Sequence, residues 1–147
     1  MANERFVYVV YIASTPEKVW NALTDGEMTR QYWAHENVSD WQPGSKWESL
    51  RLDEAKTPRI VGEVKESLPP KRLVVSWVPP ADIADKSRHS RVSFDLEPVG
   101  EMVRLTVTHD ELEAGSEMLR SISNGWPRVL SSLKSLLETG RPLNTWA

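Results

Sequence analysis

The sequence contains no cysteine, which excludes disulfides and thiolate metal sites and fits a reducing compartment. No stretch approaches the roughly 20 apolar residues of a membrane span. The amino-terminal MANERFVYVV has no basic region followed by a long apolar run. The expectation is therefore a soluble, cytoplasmic protein with no membrane partner. An excess of positive charge is missing too: 18 basic and 21 acidic residues are interspersed, for a net charge of −3. Without a basic stripe, nucleic acid is not the expected partner. No GxSxG elbow, P-loop, GxGxxG or HExxH string occurs, so hydrolase and nucleotide-binding readings have no support. The three histidines, His35, His89 and His109, lack paired metal-ligand spacing. No metal and no cofactor are expected.

What the chain does have is tryptophan, seven of them in 147 residues: Trp20, Trp33, Trp41, Trp47, Trp77, Trp126 and Trp146. They supply either core mass or the walls of an aromatic-lined cavity. The length suits one domain, residues 1–147. Ser116 to Gly140 organises it: Met118, Leu119, Ile122, Trp126, Val129, Leu130, Leu133, Leu136 and Leu137 recur at steps of three and four, the stripe of an amphipathic helix. Pro127 lies inside that stripe and predicts a kink or break near Asn124-Gly125.

The rest reads as short strands that must wrap this helix. Arg5 to Ala13 is apolar on both faces, as though each were partly covered, one of them by a dimer partner. Ser14-Thr15-Pro16-Glu17 opens a helix to about Thr24, either as a capping box from Ser14 or with Thr15 as cap and proline in the first turn. A second short helix, Glu27 to Trp33, follows. His35 to Ser45 reads as loop. Strands are predicted over Lys46–Asp53, Arg59–Leu68, Leu73–Val78, Arg88–Glu97 and Glu101–His109. Which face of 46–53 points inward is left open. Alternation puts Val92, Phe94 and Leu96 against Val107, Leu105 and Val103, Asp95 opposite Arg104, and Ser90 beside His109. Leu68 is placed opposite Leu73, and Val64 opposite Trp77.

In order, then, come a strand, two short helices, about five antiparallel strands and a long helix. The strings that accompany this order are Ser14 to Trp20 with Leu23-Thr24, Tyr32-Trp33, Pro43-Gly44, Gly62-Glu63-Val64 leading to Pro69-Pro70, Leu73 with Trp77, and Gly125-Trp126 with Leu130, Leu133 and Leu137-Glu138. Together they resemble the START-like (helix-grip, SRPBCC) superfamily. Within it they resemble the family related to the C-terminal domain of the activator of the heat-shock-protein-90 ATPase. The resemblance implies an α+β helix-grip fold, a curved antiparallel sheet of about six strands wrapped around the C-terminal helix. It also implies a cavity between the two, often holding an apolar or aromatic small molecule. Relatives in the superfamily include lipid carriers, plant hormone-binding proteins, aromatic polyketide cyclases and a co-chaperone domain. No shared catalytic motif comes with the fold.

The candidate ligand-binding residues are Trp33, Trp47, Trp77, Phe94, His109, Met118, Ile122 and Trp126, which the fold would bring together from different elements. His109 shares inward parity with Val103, Leu105 and Val107 and would sit at a cavity rim. Arg51 and Glu66 would share an inward face with Trp47 and Val64, or else lie at solvated strand ends. No catalytic residue is assigned. The leading expectation is a binding protein for a small apolar or aromatic molecule, more a binder than an enzyme. A co-chaperone-like interaction module, with a chaperone partner and a link to the stress response, comes second, and a cyclase- or lyase-like enzyme using His109 third. A homodimer fits the first strand.

Overall fold

The computed structural model describes residues 3–143, with Trp146 outside that range. The elements are β1 (Asn3–Ile12), α1 (Pro16–Thr24), α2 (Gly26–Tyr32), β2 (His35–Val38), β3 (Lys46–Arg51), β4 (Pro58–Leu68), β5 (Arg72–Trp77), β6 (Ser90–Val99), β7 (Met102–Glu113) and α3 (Glu117–Thr139). All seven strands form one antiparallel sheet in the order β1-β7-β6-β5-β4-β3-β2. β1 and β2, the two edges, are joined through the helix pair α1–α2. The long helix lies in the grip of the sheet, as a helix-grip fold requires.

Local chemistry sets the boundaries. Thr15 rather than Ser14 caps α1, accepting from the Lys18 N–H at 3.3 Å, with Pro16 in the first turn where its missing N–H costs nothing. Asp25 caps α2. Ser116 caps α3 by accepting from the Leu119 N–H at 3.1 Å, and Gly140 ends it at φ +83°. Of the kink or break expected near Asn124-Gly125, the break does not occur: α3 runs unbroken through Pro127. Ile122 and Trp126 before the proline, and Val129, Leu130, Leu133 and Leu136 from there on, are all buried in one core. At about 1.5–3 kcal/mol for each large side chain, that burial outweighs the proline's ~3 kcal/mol penalty. The far end of α3 is pinned to the end of β1. Lys134 donates to the Tyr11 carbonyl and to Glu138, and the Ala13 N–H donates to the same carboxylate at 2.7 Å.

The β6–β7 turn is centred one residue later than the pattern suggested, on Gly100-Glu101. Leu96 therefore pairs with Leu105, Phe94 with Val107 and Val92 with His109. A shift of two keeps every face, so the inward set is unchanged, but the outer ion pairs change partners. Arg104 meets Glu97, Arg91 meets Asp110, and Asp95 turns to Arg72 of β5 at 2.6 Å. Ser90 and His109 do meet, as diagonal rather than opposite residues. In β4 a bulge between Val64 and Glu66 moves the pairing to Val64–Val75 and Leu68–Arg72. It also reverses the parity of Glu66, which joins Arg72 on the outer face instead of Arg51 on the inner one. Two further readings change. β2 occupies what was expected to be loop, and β7 continues through Asp110 to Glu113.

On β3 the inward face is that of Trp47 and Ser49, both buried. The Trp47 indole crosses over β4 at Gly62 and donates to the Ser76 carbonyl of β5 at 2.7 Å. A Cβ on Gly62 would fall directly on that carbonyl and crowd the indole nitrogen. Gly62→Ala is therefore expected to destabilise the fold by about 1–3 kcal/mol, as overpacking does. Urea unfolding would read this as a lower midpoint at unchanged slope; an unchanged midpoint would contradict it.

Candidate ligand-binding cleft

The core ends in a wall of aromatic rings. Trp33 follows α2, Trp77 ends β5 and Trp126 lies midway along α3. Their ring centres form a triangle of 5.3 Å (Trp33–Trp126, edge-on), 5.5 Å (Trp77–Trp126) and 6.5 Å (Trp33–Trp77, stacked). Each such contact contributes about 0.5–1.5 kcal/mol beyond its buried area. Phe94 packs edge-on to Trp126 at 5.8 Å, and Trp47 lies 5.5 Å from Trp77.

His109 joins the wall from behind. It is fully buried, and both ring nitrogens are engaged. The Trp126 indole can only donate, so its 3.1 Å contact makes His109 Nδ1 the acceptor. Nε2 then carries the proton and donates to Ser90 Oγ at 2.8 Å, while Ser90 donates to the Trp77 carbonyl at 3.1 Å. Burial pushes the imidazole from the ordinary 6.5 down to about 3, against a weaker opposing pull from Asp110. The ring is neutral and inaccessible, a structural clasp. His109 therefore lies behind the wall rather than at the cavity rim that its parity suggested.

In front of the wall lies a half-open cleft of about 900 Å³. Trp33, Trp77, Met118, Ile122 and Trp126, five of the eight candidates, line it. Trp47, Phe94 and His109 are not in its lining and stand behind as support. The early turns of α3 form one side through Met118, Ser121, Ile122 and Gly125, spaced three and four apart. A Cβ built on Gly125 would meet nothing within 4 Å, so the helix is open toward the cleft at this point.

The other side was hidden from sequence reasoning because β2 was read as loop. Its four residues, HENV, have one apolar member. Their burial is polar: Ser49 Oγ donates to Asn37 Oδ1 at 2.6 Å, and the Asn37 N–H donates to Thr29 Oγ1 at 3.0 Å, tying α2, β2 and β3 together. This places His35 in the cleft, with Arg51 and Arg59 beside it. Burial lowers the His35 pKa; a hydrogen bond to the Trp33 carbonyl works the other way, and the two guanidiniums lower it further. Asp82, Glu111, Glu113 and Glu117 also line the cleft. Among the described residues no three His, Asp or Glu side chains gather as a metal set. No helix there is long and apolar enough to cross a membrane.

The family model described as "Activator of Hsp90 ATPase homolog 1-like protein" matches residues 13–138, most of the chain. The chain belongs to this family. A search of curated proteins finds no significant match. Among solved structures, the Aha1 dimer from Colwellia psychrerythraea is 24% identical, with a TM-score of 0.75 over 95% of this chain and 98% of that one. An HSP90 activator from Plasmodium falciparum is 23% identical, with a TM-score of 0.74 over 90% and 95%. CalU16 from Micromonospora echinospora is 21% identical, with a TM-score of 0.70 over 95% and 88%. At these identities the likeness speaks for the Hsp90-activator-like fold alone.

The clasp makes a pH prediction. The folded value of His109 lies below the unfolded one. Its contribution is therefore fully present above 6.5 and is lost as pH falls toward 3. In that window the unfolded chain binds a proton that the folded one refuses, costing up to about 1.4 kcal/mol per pH unit. His109→Gln, which keeps a neutral donor and acceptor, should flatten the dependence of unfolding free energy on pH by about that slope. Parallel curves for the two proteins would contradict the assignment.

Proposed function

We propose that this protein binds a small apolar or aromatic molecule in the cleft between the early turns of α3 and the β3–β5 side of the sheet. The observation that carries this reading is the 900 Å³ cleft over a floor of Trp33, Trp77 and Trp126. Its size suits a small organic ligand, for which sites run to about 300–1,000 Å³. Rings held by packing and by the His109 clasp need little reordering on binding, which limits the entropic cost.

Two further readings concern partners. Val7, Val9 and Tyr11 are 48%, 46% and 41% exposed on one face of the edge strand β1, an apolar stripe that a second copy of the chain would cover. The dimeric Colwellia relative supports this. A chaperone partner of the heat-shock-protein-90 type is supported by the family and by the Plasmodium relative.

Native mass spectrometry of freshly purified protein should show two subunits and a small bound molecule released on activation. In Gly125→Leu the new side chain enters the cleft. The bound molecule should disappear while stability holds or rises by about 0.5–1 kcal/mol from the better helix former. The cleft reading is overturned if Gly125→Leu retains the molecule undiminished. It is also overturned if wild type shows no bound molecule and no thermal shift with 2-naphthoate or decanoate. A single subunit would remove the dimer alone.

A further inference from the structure

The cleft has a chemical polarity that its aromatic floor does not require. Arg51 ends β3 and Arg59 lies near the start of β4, on neighbouring backbones joined by the Arg51 N–H donating to the Thr57 carbonyl at 2.9 Å. Both line the cleft, as does Arg128 of α3. Among the described residues none of these three has a carboxylate in ion-pair contact. The arginines on the outer face of the sheet, Arg72, Arg91 and Arg104, are each paired, and so is the remaining cleft arginine, Arg88, with Asp85. Two uncompensated guanidiniums on adjoining strands repel one another, and their field reaches His35. Trp77, a cleft-lining residue, also carries the one buried side-chain polar atom without a partner among the described residues, its indole Nε1. A buried N–H left unpaired costs about 1–3 kcal/mol.

We infer that the ligand of this cleft is an organic acid, an aromatic or acyl body bearing a carboxylate or equivalent oxyanion held by Arg51 and Arg59. This rests on the ligand-binding reading above and names its substrate class. The planar guanidinium fork matches a carboxylate bidentately, and a charge-assisted bond of this kind is about twice as strong as a neutral one. The apolar body lies on Trp33, Ile60 and Ile122, which line the same cleft. Direction follows from the carboxylates: Glu111 and Glu113 end β7 and Glu117 opens α3, which leaves the β3–β4 side for the anionic end. A small inorganic anion satisfies the arginines but leaves the apolar floor uncovered.

The test is isothermal titration with two matched pairs, 2-naphthoate against 2-naphthamide and decanoate against decanamide, with inorganic phosphate as a third probe. The acid of at least one pair should bind about tenfold or more tightly than its amide, as hydrogen bonds to a charged group predict. The Arg51→Gln/Arg59→Gln double variant should bring acid and amide to equal affinity. Both side chains are exposed and unpaired, so the double variant is expected to fold as wild type. Equal affinities in wild type, a preference for acid that survives in the variant, or phosphate binding as tightly as the acids would overturn the inference. Amide binding without acid preference leaves the cleft reading standing, whereas binding of none of the organic probes removes both.

Discussion

One chain of hydrogen bonds holds the working end of this molecule together: Trp126 Nε1–H to His109 Nδ1, His109 Nε2–H to Ser90 Oγ, and Ser90 O–H to the Trp77 carbonyl. It links α3 to β7, β6 and β5 in three steps. Trp126 only donates, the Trp77 carbonyl only accepts, and His109 and Ser90 each do both, so the chain tolerates a buried imidazole only in its neutral, Nε2-protonated form. In a low-dielectric core such a network is stable when fully satisfied and costly when broken. The aromatic triangle depends on it, since the orientation of Trp126 follows from its bond to His109. The cleft depends in turn on the triangle, which forms its floor. Elsewhere the grip is apolar: Val129, Leu130, Leu133 and Leu136 pack permanently against the sheet. α3 thus serves as core in its later turns and as cleft wall in its earlier ones.

Much of this was legible in the chain. The 3.6-residue stripe of α3, the alternation of Val92, Phe94 and Leu96 with Val103, Leu105 and Val107, and the cap at Thr15-Pro16 are local patterns that tertiary context left intact. The site face of α3, through Met118, Ile122 and Trp126, could be read from the same stripe. What was not legible depended on polar burial and on irregular backbone. β2 has no apolar alternation because Asn37 and Ser49 are buried by bonding to each other rather than by packing. Glu66 changes face through a bulge that no residue type announces. Pro127 suggested a break, but burial on both sides of it keeps one helix. His109 had the right parity but lies deeper than a cavity rim: parity tells which face a residue is on, not whether a tryptophan and a serine will close over both of its nitrogens.

A grip fold by itself does not fix what a chain binds. In this chain the distinguishing parts are side chains at the mouth. Among the described residues Arg51, Arg59 and Arg128 make no ion pair, and Gly125 leaves the helix wall open. These positions lie on strand ends and early helix turns, where substitution costs the core little. A rigid floor with a changeable mouth allows selectivity to vary while the clasp and the apolar grip carry stability.

The central claim is that a ligand sits on the tryptophan floor against the early turns of α3. Nuclear Overhauser contacts between bound 2-naphthoate or decanoate and methyl-labelled protein test it most directly. Contacts are predicted from the probe to the Met118 and Ile122 methyl groups and to the Trp77 ring. Contacts confined to Val7 and Val9 on the outer face of β1, or to no methyl of the cleft, would contradict it.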